Sequence, residues 1–564
     1  MSPTFARSVF ALTAVFFAAF FVWPIVQILQ GGFVDADGHV TFSYLTTLLA
    51  DPTYLGGLRN SFLLATATTT LALLIALPLA VLSDRFTFPG KGLLGSLVLI
   101  PMILPPFVGA IGIKQIFGQY GALNALLIHL GLRPEGWTFD WFAANQFWGV
   151  AVVQALALYP IIYLNAVAAL ANLDPALDEA AQNLGCTGFR RFRRITLPLI
   201  RPGLFAGGTI VFIWSFTELG TPLIFDYAEV SSVQVYDGLK DIGGNPFPYA
   251  LVAVMLVSSI ALYALGKGLF GRAGHAMMAK ATAARAPVAL PAARAWLCTA
   301  LFAGVTFVAV LPHLGVVLVA FSREWYATVV PHSWTLENFH LALGHDLTVP
   351  SIANSLKFAA IATVIDLVLG IAIAWVVVRS KLAGRQVLDF LAMLPLAVPG
   401  IVLAFGYLAM AQDGRFWSFL NPVRDPTILL IIAYSVRRLP YVVRSAAAGF
   451  QQTSETLEEA AQNLGCPPLK AVFKITLPLI TANLIAGGLL AFAFAMLEVS
   501  DSLILAQKQA FYPITKAIME LFQLLGDGKF LASALGVWAM AFLGITIVGL
   551  SLLLGKKLGA IFRV

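Results

Sequence analysis

One segment of this chain occurs twice, and the duplication constrains the fold more than any other feature. Residues 179–200 read EAAQNLGCTGFRRFRRITLPLI and residues 459–480 read EAAQNLGCPPLKAVFKITLPLI. The first eight and the last six residues of the two copies are identical, and the variable middle keeps its length. A long match at a fixed offset indicates an internal duplication. The chain is therefore expected to fold as two related halves.

The composition places the chain in a membrane. Of its 564 residues, 59% are hydrophobic and only 11% are charged, and the mean hydropathy is +0.86. Soluble domains carry about 25% charged residues, so a soluble fold is excluded. The backbone must satisfy its own hydrogen bonds in lipid, and the apolar runs contain helix-forming residues, so a helical bundle is favoured over a barrel. The predicted fold class is all-α, a polytopic membrane helical bundle.

Twelve apolar runs reach the length of about 20 residues that a spanning helix needs. The halves also match outside the repeated segment, as Asn60-Ser61 and Asn354-Ser355 illustrate. The offset is 294 residues up to the third run of each half and 280 residues afterwards. We therefore predict two parallel repeats of six helices. The runs are residues 10–29, 58–83, 92–117, 148–171, 203–225, 246–270, 296–321, 354–378, 386–411, 427–450, 483–507 and 530–555.

The duplication also predicts the domain organisation. Residues 1–271 form the first repeat and residues 296–564 the second. Residues 272–295, rich in Ala and basic side chains, form a linker that joins them. The duplicated segments lie in two loops, residues 172–202 and 451–482, which follow the fourth helix of each half.

The distribution of Lys and Arg predicts the orientation, because cytoplasmic loops carry an excess of both. If the N-terminus is cytoplasmic, 21 of the 35 basic residues fall in the inner segments. Both duplicated loops and the linker are then cytoplasmic. The net charge of +7 reflects this topology and gives no indication of nucleic-acid binding.

The sequence contains no pattern of an enzyme or a metalloprotein. It has no G-x-x-x-x-G-K-[ST] phosphate loop, no C-x-x-C pair and no His/Cys cluster with the spacing of metal ligands. The three cysteines do not make a disulfide framework. We expect no catalytic residues, no metal site and no ATPase activity in this chain.

The duplicated segment resembles the cytoplasmic EAA loop of binding-protein-dependent ABC importer permeases. The shared pattern is Glu-Ala-Ala, three residues, Gly, nine residues, Ile, any residue and Leu-Pro, and both copies meet it. Two six-helix halves in one chain resemble the fused type I permeases for ferric iron, thiamine, 2-aminoethylphosphonate and sugar phosphates. The resemblance implies a bacterial inner-membrane protein with two cytoplasmic ATPase subunits and a periplasmic or lipid-anchored solute-binding protein. ATP and Mg would bind the ATPase subunits, with no cofactor on this chain.

Each EAA loop is predicted to be a helix, a glycine that ends it in a left-handed conformation, and a second short helix that runs to the Leu-Pro. The resemblance identifies this element as the coupling helix that docks on the ATPase. The alternative is an ordinary amphipathic surface loop. The presence of two copies of the motif with identical flanking residues argues against that alternative. The residues assigned to coupling are Glu179, Ala180, Ala181, Gly185, Pro198, Glu459, Ala460, Ala461, Gly465 and Pro478.

Three arginines fall within the tenth run, where charge is costly and usually marks a pathway or a partner. Arg437 and Arg438 lie near its middle, and Arg444 lies two turns further inward on the face of Arg437. The first half has Ala157, Leu158 and Leu164 at the equivalent positions. One interpretation is a basic wall that meets an anionic solute. The other is structural pairing of Arg437 and Arg438 with acids while Arg444 reaches the cytoplasmic boundary.

Carboxylates that could pair with these arginines lie in the fifth run of each half. Glu218 and Glu498 occupy equivalent positions, and Asp501 follows Glu498. The third runs contain Pro105 and Pro399, which free backbone groups that must be covered by protein or line a cavity. We predict that these residues contribute to a gate or pathway, although ordinary kinking for packing would also explain the prolines.

The sequence therefore predicts the permease of an ATP-driven importer that works by alternating access. Because of Arg437 to Tyr441 and Arg444, it resembles permeases for ferric iron or for phosphate- and phosphonate-bearing anions most closely. The rival function is a secondary transporter driven by an ion gradient. Intramembrane acids would suit that rival, but duplicated EAA loops would have no purpose in it.

Overall fold

The computed structural model describes residues 3–35, 37–103, 105–142, 145–241, 245–274 and 288–554. Within these ranges, nine helices are long and apolar enough to cross a membrane, and two further apolar helix pairs are sharply bent. The helix Thr427–Gln452, which carries three arginines, is the twelfth. These twelve segments correspond to the twelve predicted runs, and we number them spans 1 to 12 in chain order. The all-α fold class is confirmed.

The first half contains spans 1 to 6. In order, they are Phe5–Phe33, Pro52–Arg85, the bent pair Lys91–Met102 and Pro106–His129, Gln146–Ala171, Gly188–Thr217 and Phe247–Ala264. Shorter helices in the connections are Ser43–Ala50, Pro175–Asn183, Gly220–Ile224 and Ser231–Asp237.

The second half contains spans 7 to 12. In order, they are Ala292–Phe321, Thr348–Arg379, the bent pair Arg385–Leu396 and Gly400–Met410, Thr427–Gln452, Pro468–Met496 and Gly528–Thr546. Shorter helices in the connections are Glu337–Gly344, Thr456–Asn463, Ser500–Leu505 and Ile514–Phe522.

Spans 3 and 9 differ from the prediction of continuous helices. They bend by 97° and 100°, and Pro105 and Pro399 stand at the bends with extended ψ angles of 139° and 141°. Proline has no N–H and its ring clashes with the preceding turn of a helix. Each helix therefore stops before its proline and starts again in a new direction.

Span 10 is a continuous helix although it carries Arg437, Arg438 and Arg444. It packs against spans 8 and 11 of its own half, and most of its residues are buried. Charged side chains in membrane helices typically face the interior of the bundle. Span 10 is therefore a central helix of the second half.

The ends of the predicted linker are ordered as helix and strand. The helix of span 6 continues to Gly274 and span 7 begins at Ala292, so both ends of the predicted linker are helical. Val288–Ala289 pairs in parallel with Phe86–Thr87, which connects spans 2 and 3. The rest of the predicted linker, residues 275–287, lies outside the described residues. A second pair of short strands, Ser322–Glu324 and Ser333–Trp334, is antiparallel.

The two halves hold each other through their first helices. Span 1 packs on the second part of span 9, and span 7 packs on the second part of span 3. Gly406 lies against Pro24 in the first contact, and the equivalent Gly112 lies against Pro312 in the second. Small residues allow membrane helices to approach closely and pack without a hydrophobic driving force. The same contact thus occurs twice and joins the halves.

We expect Gly406→Ala and Gly112→Ala to destabilise the protein. A Cβ at residue 406 would lie 2.9 Å from Cβ of Pro24, and one at residue 112 would lie 2.9 Å from the carbonyl carbon of Gly315. Overpacking of this kind costs about 1–3 kcal/mol, and thermal unfolding in detergent would measure it.

Gly304→Ala is the matched control, because a Cβ there meets no atom within 4 Å. It should leave stability unchanged or raise it by up to about 1 kcal/mol through helix propensity. Equal melting temperatures for all three variants would contradict the role given to the two glycine contacts.

Candidate functional site

Spans 5 and 11 each end at a glutamate. The helix of span 5 stops at Thr217, and Glu218 has an extended backbone before the short helix Gly220–Ile224. Span 11 stops at Met496, and Glu498 precedes the short helix Ser500–Leu505. The Glu218 carboxylate accepts from the N–H of Thr221 at 2.9 Å. The carboxylates thus compensate backbone donors that each break leaves without a helical partner.

A cavity of about 200 Å³ lies between these two breaks and between the two halves of the chain. Its wall combines the bends of spans 3 and 9 with the breaks of spans 5 and 11 and the middle of span 10. The cavity brings together six of the residues that the sequence assigned to a pathway: Pro105, Pro399, Glu218, Glu498, Arg437 and Arg438.

Both arginines on the cavity wall are paired with acids of the second half. Arg437 Nη1 lies 2.6 Å from Glu498 Oε1 and 3.5 Å from Asp501 Oδ2. Arg438 forms an ion pair with the other oxygen of Glu498. Gly400 leaves room for the Arg437 guanidinium, which a Cβ at that position would meet. The cluster combines two positive and two negative formal charges, so it is balanced by itself.

The equivalent carboxylate of the first half is held by neutral groups. Glu218 accepts from Gln154 Nε2 at 3.2 Å, and the oxygen of Gln154 accepts in turn from Ser215 and Thr68. The position equivalent to Gln154 is Tyr434 in the second half. The cavity is therefore symmetric in its carboxylates and asymmetric in the groups that hold them. Sequence analysis missed Gln154, although a polar residue in an apolar run was a usable signal.

Arg444 lies apart from this cavity. It is 55% exposed and forms an ion pair with Asp389 at 3.5 Å, and its Nε lies 3.1 Å from Met393 Sδ. Asp389 and Met393 belong to the first part of span 9. Its shared face with Arg437 therefore does not bring the two guanidinium groups into one site, because two helical turns separate them along the span.

The EAA loops have the predicted helix–glycine–helix geometry. The first helices are Pro175–Asn183 and Thr456–Asn463, and Gly185 and Gly465 follow them with φ angles of 73° and 84°. A left-handed residue of this kind ends a helix, and glycine adopts it without strain. Asp174 accepts from the N–H of Ala176 and so begins the first helix.

The second helix of each loop differs from the prediction, since it does not stop at Leu-Pro. It continues through Pro198 or Pro478 into span 5 or span 11. One π-helical turn precedes each proline, at Phe192–Thr196 and Val472–Thr476. Such a turn shifts the local hydrogen bonds and accommodates a residue that lacks an N–H. Each EAA loop is therefore continuous with the helix that leads to a cavity carboxylate.

An arginine at the end of span 8 anchors the second EAA loop. Arg379 is 8% exposed, donates to the carbonyl of Thr453 at 2.6 Å and forms an ion pair with Glu455 at 3.2 Å. Its Nε lies 3.7 Å from Glu458, which accepts from Thr476 Oγ1 at 2.7 Å. Sequence analysis missed this cluster, although the equivalent arginine at residue 85 was a signal.

The first half repeats part of this anchor. Arg85 at the end of span 2 donates to Thr196 Oγ1 at 2.7 Å, and Thr196 is the equivalent of Thr476. In the first half the arginine of the second helix contacts the π-helical turn directly, whereas in the second half Glu458 lies between Arg379 and Thr476 of that turn. The EAA loops are fixed to the membrane bundle at these points.

We expect Arg437→Gln and Arg438→Gln to destabilise the protein strongly. Each change removes one partner of a buried pair, which costs about 3–5 kcal/mol. Arg444→Gln is the control, since an exposed pair contributes about 0–1 kcal/mol. Thermal unfolding in detergent would measure the three variants. A stable Arg437/Arg438 double variant would contradict a structural role for the cluster.

We also expect Arg379→Gln to lower stability by about 3–5 kcal/mol, because Glu458 would lose its buried cation. Glu455→Gln is the matched control: this carboxylate is 58% exposed, and its loss should cost about 0–1 kcal/mol. Hydrogen exchange of residues 453–476 should increase in the first variant only. Equal exchange in both variants would rule out Arg379 as the anchor of the loop.

Comparison with known proteins relates each half of the chain to the same transport family. Residues 72–273 and 366–555 each match the family described as "Binding-protein-dependent transport system inner membrane component". The ferric transport system permease protein FbpB of Actinobacillus pleuropneumoniae is 26% identical over 512 residues, which are 87% of this chain and 70% of that protein. The Fe(3+)-transport system permease protein FbpB 2 of Haemophilus influenzae is 21% identical over 453 residues, 79% of this chain and 80% of that protein.

A further relative covers one half only. The molybdenum transport system permease protein ModB of Escherichia coli is 31% identical over 185 residues, which are 32% of this chain and 74% of that protein. The two family matches together span more than half of the sequence, one in each repeat. The chain therefore belongs to the family of binding-protein-dependent transport system inner membrane components, as a fused permease of an ABC importer.

Proposed function

We propose that this permease forms the complete translocation pore of an importer for ferric iron. The observation that carries the proposal is the cavity between the halves, with Glu218 and Glu498 at equivalent positions on its wall. Two relatives that span most of the chain are named as ferric permeases. Phosphate and phosphonate, the other cargo expected from the sequence, have no comparable support.

The charge balance of the cavity also favours a cation over an anion. Arg437 and Arg438 are engaged by Glu498 and Asp501, so a passing anion would compete with two carboxylates. Glu218 adds a carboxylate whose described partners are neutral. Hard cations prefer oxygen ligands of this kind. We infer that Glu218 is the first group of the cavity that would attract an iron-bearing cargo.

The EAA loops are proposed as the docking sites for two ATPase subunits, which bind ATP and Mg. Each loop exposes an apolar side chain at an equivalent position: Leu184 is 87% exposed and Leu464 is 90% exposed. Phe189 and Phe473 are also largely exposed. Exposed apolar patches typically mark protein-interaction sites. Glu179 and Glu459 lie beside them on the first helix of each loop.

The remaining partners follow from the family, whose members work with a solute-binding protein. We propose a periplasmic or lipid-anchored binding protein that delivers cargo to the outer loops, with the N-terminus of the permease in the cytoplasm. The two docking sites should be unequal, because the first loop carries four arginines and the second loop has only two basic residues at the equivalent positions. The arginines are Arg190, Arg191, Arg193 and Arg194, and the lysines are Lys470 and Lys474. Transport would use alternating access, driven by the ATPase subunits.

The cargo assignment predicts ATP-dependent uptake of ferric iron in cells that express the permease with its ATPase and binding protein. Radioactive ferric iron, molybdate, sulfate and a phosphonate would be compared in a host that lacks its own iron importers. Glu218→Gln should lower iron uptake with little loss of folded protein, because the amide keeps the size but removes the charge. Uptake of an anion instead of iron would refute the cargo, and uptake driven by an ion gradient without ATP would favour a secondary transporter.

The coupling assignment predicts that Glu179→Gln combined with Glu459→Gln separates the ATPase from the permease. Co-purification of the ATPase should fall and uptake should be lost, while the permease still inserts. Glu337→Gln, an exposed acid on a helix outside the EAA loops, is the control. Normal uptake and normal co-purification in the double variant would show that these glutamates do not couple the two subunits.

A further inference from the structure

Two pairs of side chains at equivalent positions of the repeat touch each other. Trp214 and Phe494 are 280 residues apart in sequence, and their ring centroids lie 6.4 Å apart. Tyr236 and Lys516 are separated by the same 280 residues, and Lys516 Nζ lies 3.4 Å from Tyr236 Oη. Positions related by a twofold axis meet only where they lie on or beside that axis. The two pairs therefore mark two points on the pseudo-twofold axis of the molecule.

These two points lie on opposite sides of the helix breaks. Trp214 is one turn before Glu218 on span 5, and Tyr236 lies in the helix Ser231–Asp237, which follows the break. Trp214 and Phe494 belong to the cavity wall, whereas Tyr236 and Lys516 are not among the described residues that line it. With the EAA loops on the cytoplasmic side, the pair Tyr236–Lys516 stands at the outer side of the cavity.

Lys516 is built into this position by contacts from both halves. It is 6% exposed, and its ammonium group pairs with Glu520 of its own helix at 2.7 Å. The ring of Tyr512 lies 5.5 Å from the ammonium group and the ring of Tyr236 6.0 Å. Among the described groups that hold this cation, Tyr236 is the one from the other half, so separation of the halves would break its contact with Lys516 and leave the contacts with Glu520 and Tyr512.

The helices that carry the pair are attached to the cavity glutamates. Ser232 Oγ donates to the carbonyl of Glu218 at 2.8 Å, and Thr515 Oγ1 donates to the carbonyl of Glu498 at 2.6 Å. A movement of either break would therefore move Tyr236 or Lys516. The outer pair and the cavity wall form one connected unit.

We propose that Lys516 and Tyr236 form the outer closure of the translocation path, and that cargo enters the cavity only when this contact opens. The proposal rests on the part of the proposed function that places the path along the pseudo-twofold axis. It is independent of the identity of the cargo. The two residues are positioning groups of the closed state, and each half contributes one of them.

The test is the reactivity of a cysteine in the cavity toward a membrane-impermeant thiol reagent added to intact cells. Cys186, Cys298 and Cys466 would be replaced by serine, and Ser500→Cys would place one thiol on the cavity wall. The thiol should be protected in this background. Lys516→Ala or Tyr236→Ala should raise its labelling rate about tenfold, the effect of losing one cation–aromatic contact.

A matched control is Lys529→Ala. Lys529 also contacts the other half, since its Nζ lies 3.1 Å from Gln115 Oε1, and it stands 4.9 Å from the ring of Phe530. Gln115 and Lys529 are not equivalent positions, so this contact is not one of the two that mark the axis. The control should leave the cavity thiol protected. A second control, Asp425→Cys, should react from outside in every background and thereby report the orientation.

Several outcomes would overturn the proposal. The first is a cavity thiol that reacts at full rate in the starting background. The second is a thiol that stays protected in the Lys516 and Tyr236 variants. The third is a thiol that becomes as reactive in Lys529→Ala as in those variants. An unreactive Asp425→Cys would place the pair on the cytoplasmic side. Lys516→Met, which removes the cation, and Tyr236→Leu, which removes the ring, keep an apolar side chain in place and provide the same measurement if the alanine variants do not fold. An importer of a different cargo would leave all these results unchanged.

Discussion

The constraint on which this structure depends is the need to cover backbone polar groups at membrane depth. Spans 3 and 9 are bent sharply, and spans 5 and 11 each stop at a break before a short helix; such interruptions expose N–H and C=O groups that lipid cannot satisfy. The fold turns all four interruptions toward the interface between the halves, where they surround one cavity. Glu218 and Thr221 show how a side chain replaces a missing helical bond. The breaks are tolerated because they line a cavity covered by protein, and the cavity exists because the helices break there.

The same two breaks are stabilised in different ways. Glu498 is held by Arg437 and Arg438, and Glu218 by Gln154 and a backbone N–H. Ion pairs at this depth require close geometry to offset the desolvation of both charges, whereas neutral hydrogen-bond donors compensate the burial of Glu218 without a counter-ion. The cavity wall thus holds one carboxylate that is paired with two cations and one whose described partners are neutral.

The sequence predicts the features of this protein that recur at a fixed period, and it predicts less where a contact joins distant segments. The duplication, the apolar runs and the αL conformations of Gly185 and Gly465 follow from local residues. The prolines at residues 105 and 399 indicate that the helices break there, but they do not predict the bend angle. The direction of the chain after each break is set by packing against the other half. The separation of Arg444 from the cavity likewise depends on where span 9 lies, which no spacing within span 10 can indicate.

Fusion of the halves explains how the axis can carry two different residues. In a homodimer, a position on the twofold axis meets its own copy, so residue 516 would place two ammonium groups in contact and raise the energy of the closed state. In a homodimer built from the first half, two copies of Tyr236 would meet at the axis and no cation would be present there. A single chain escapes this restriction, because each half evolves separately while the linker keeps them paired. Lys516 against Tyr236 is an arrangement that a symmetric dimer could not adopt, and the halves also differ at Arg437, whose equivalent in the first half is Ala157. The two repeats therefore differ at the pseudo-twofold axis and on the cavity wall, while the glycine–proline contact that joins the halves occurs in both, as Gly112 with Pro312 and Gly406 with Pro24.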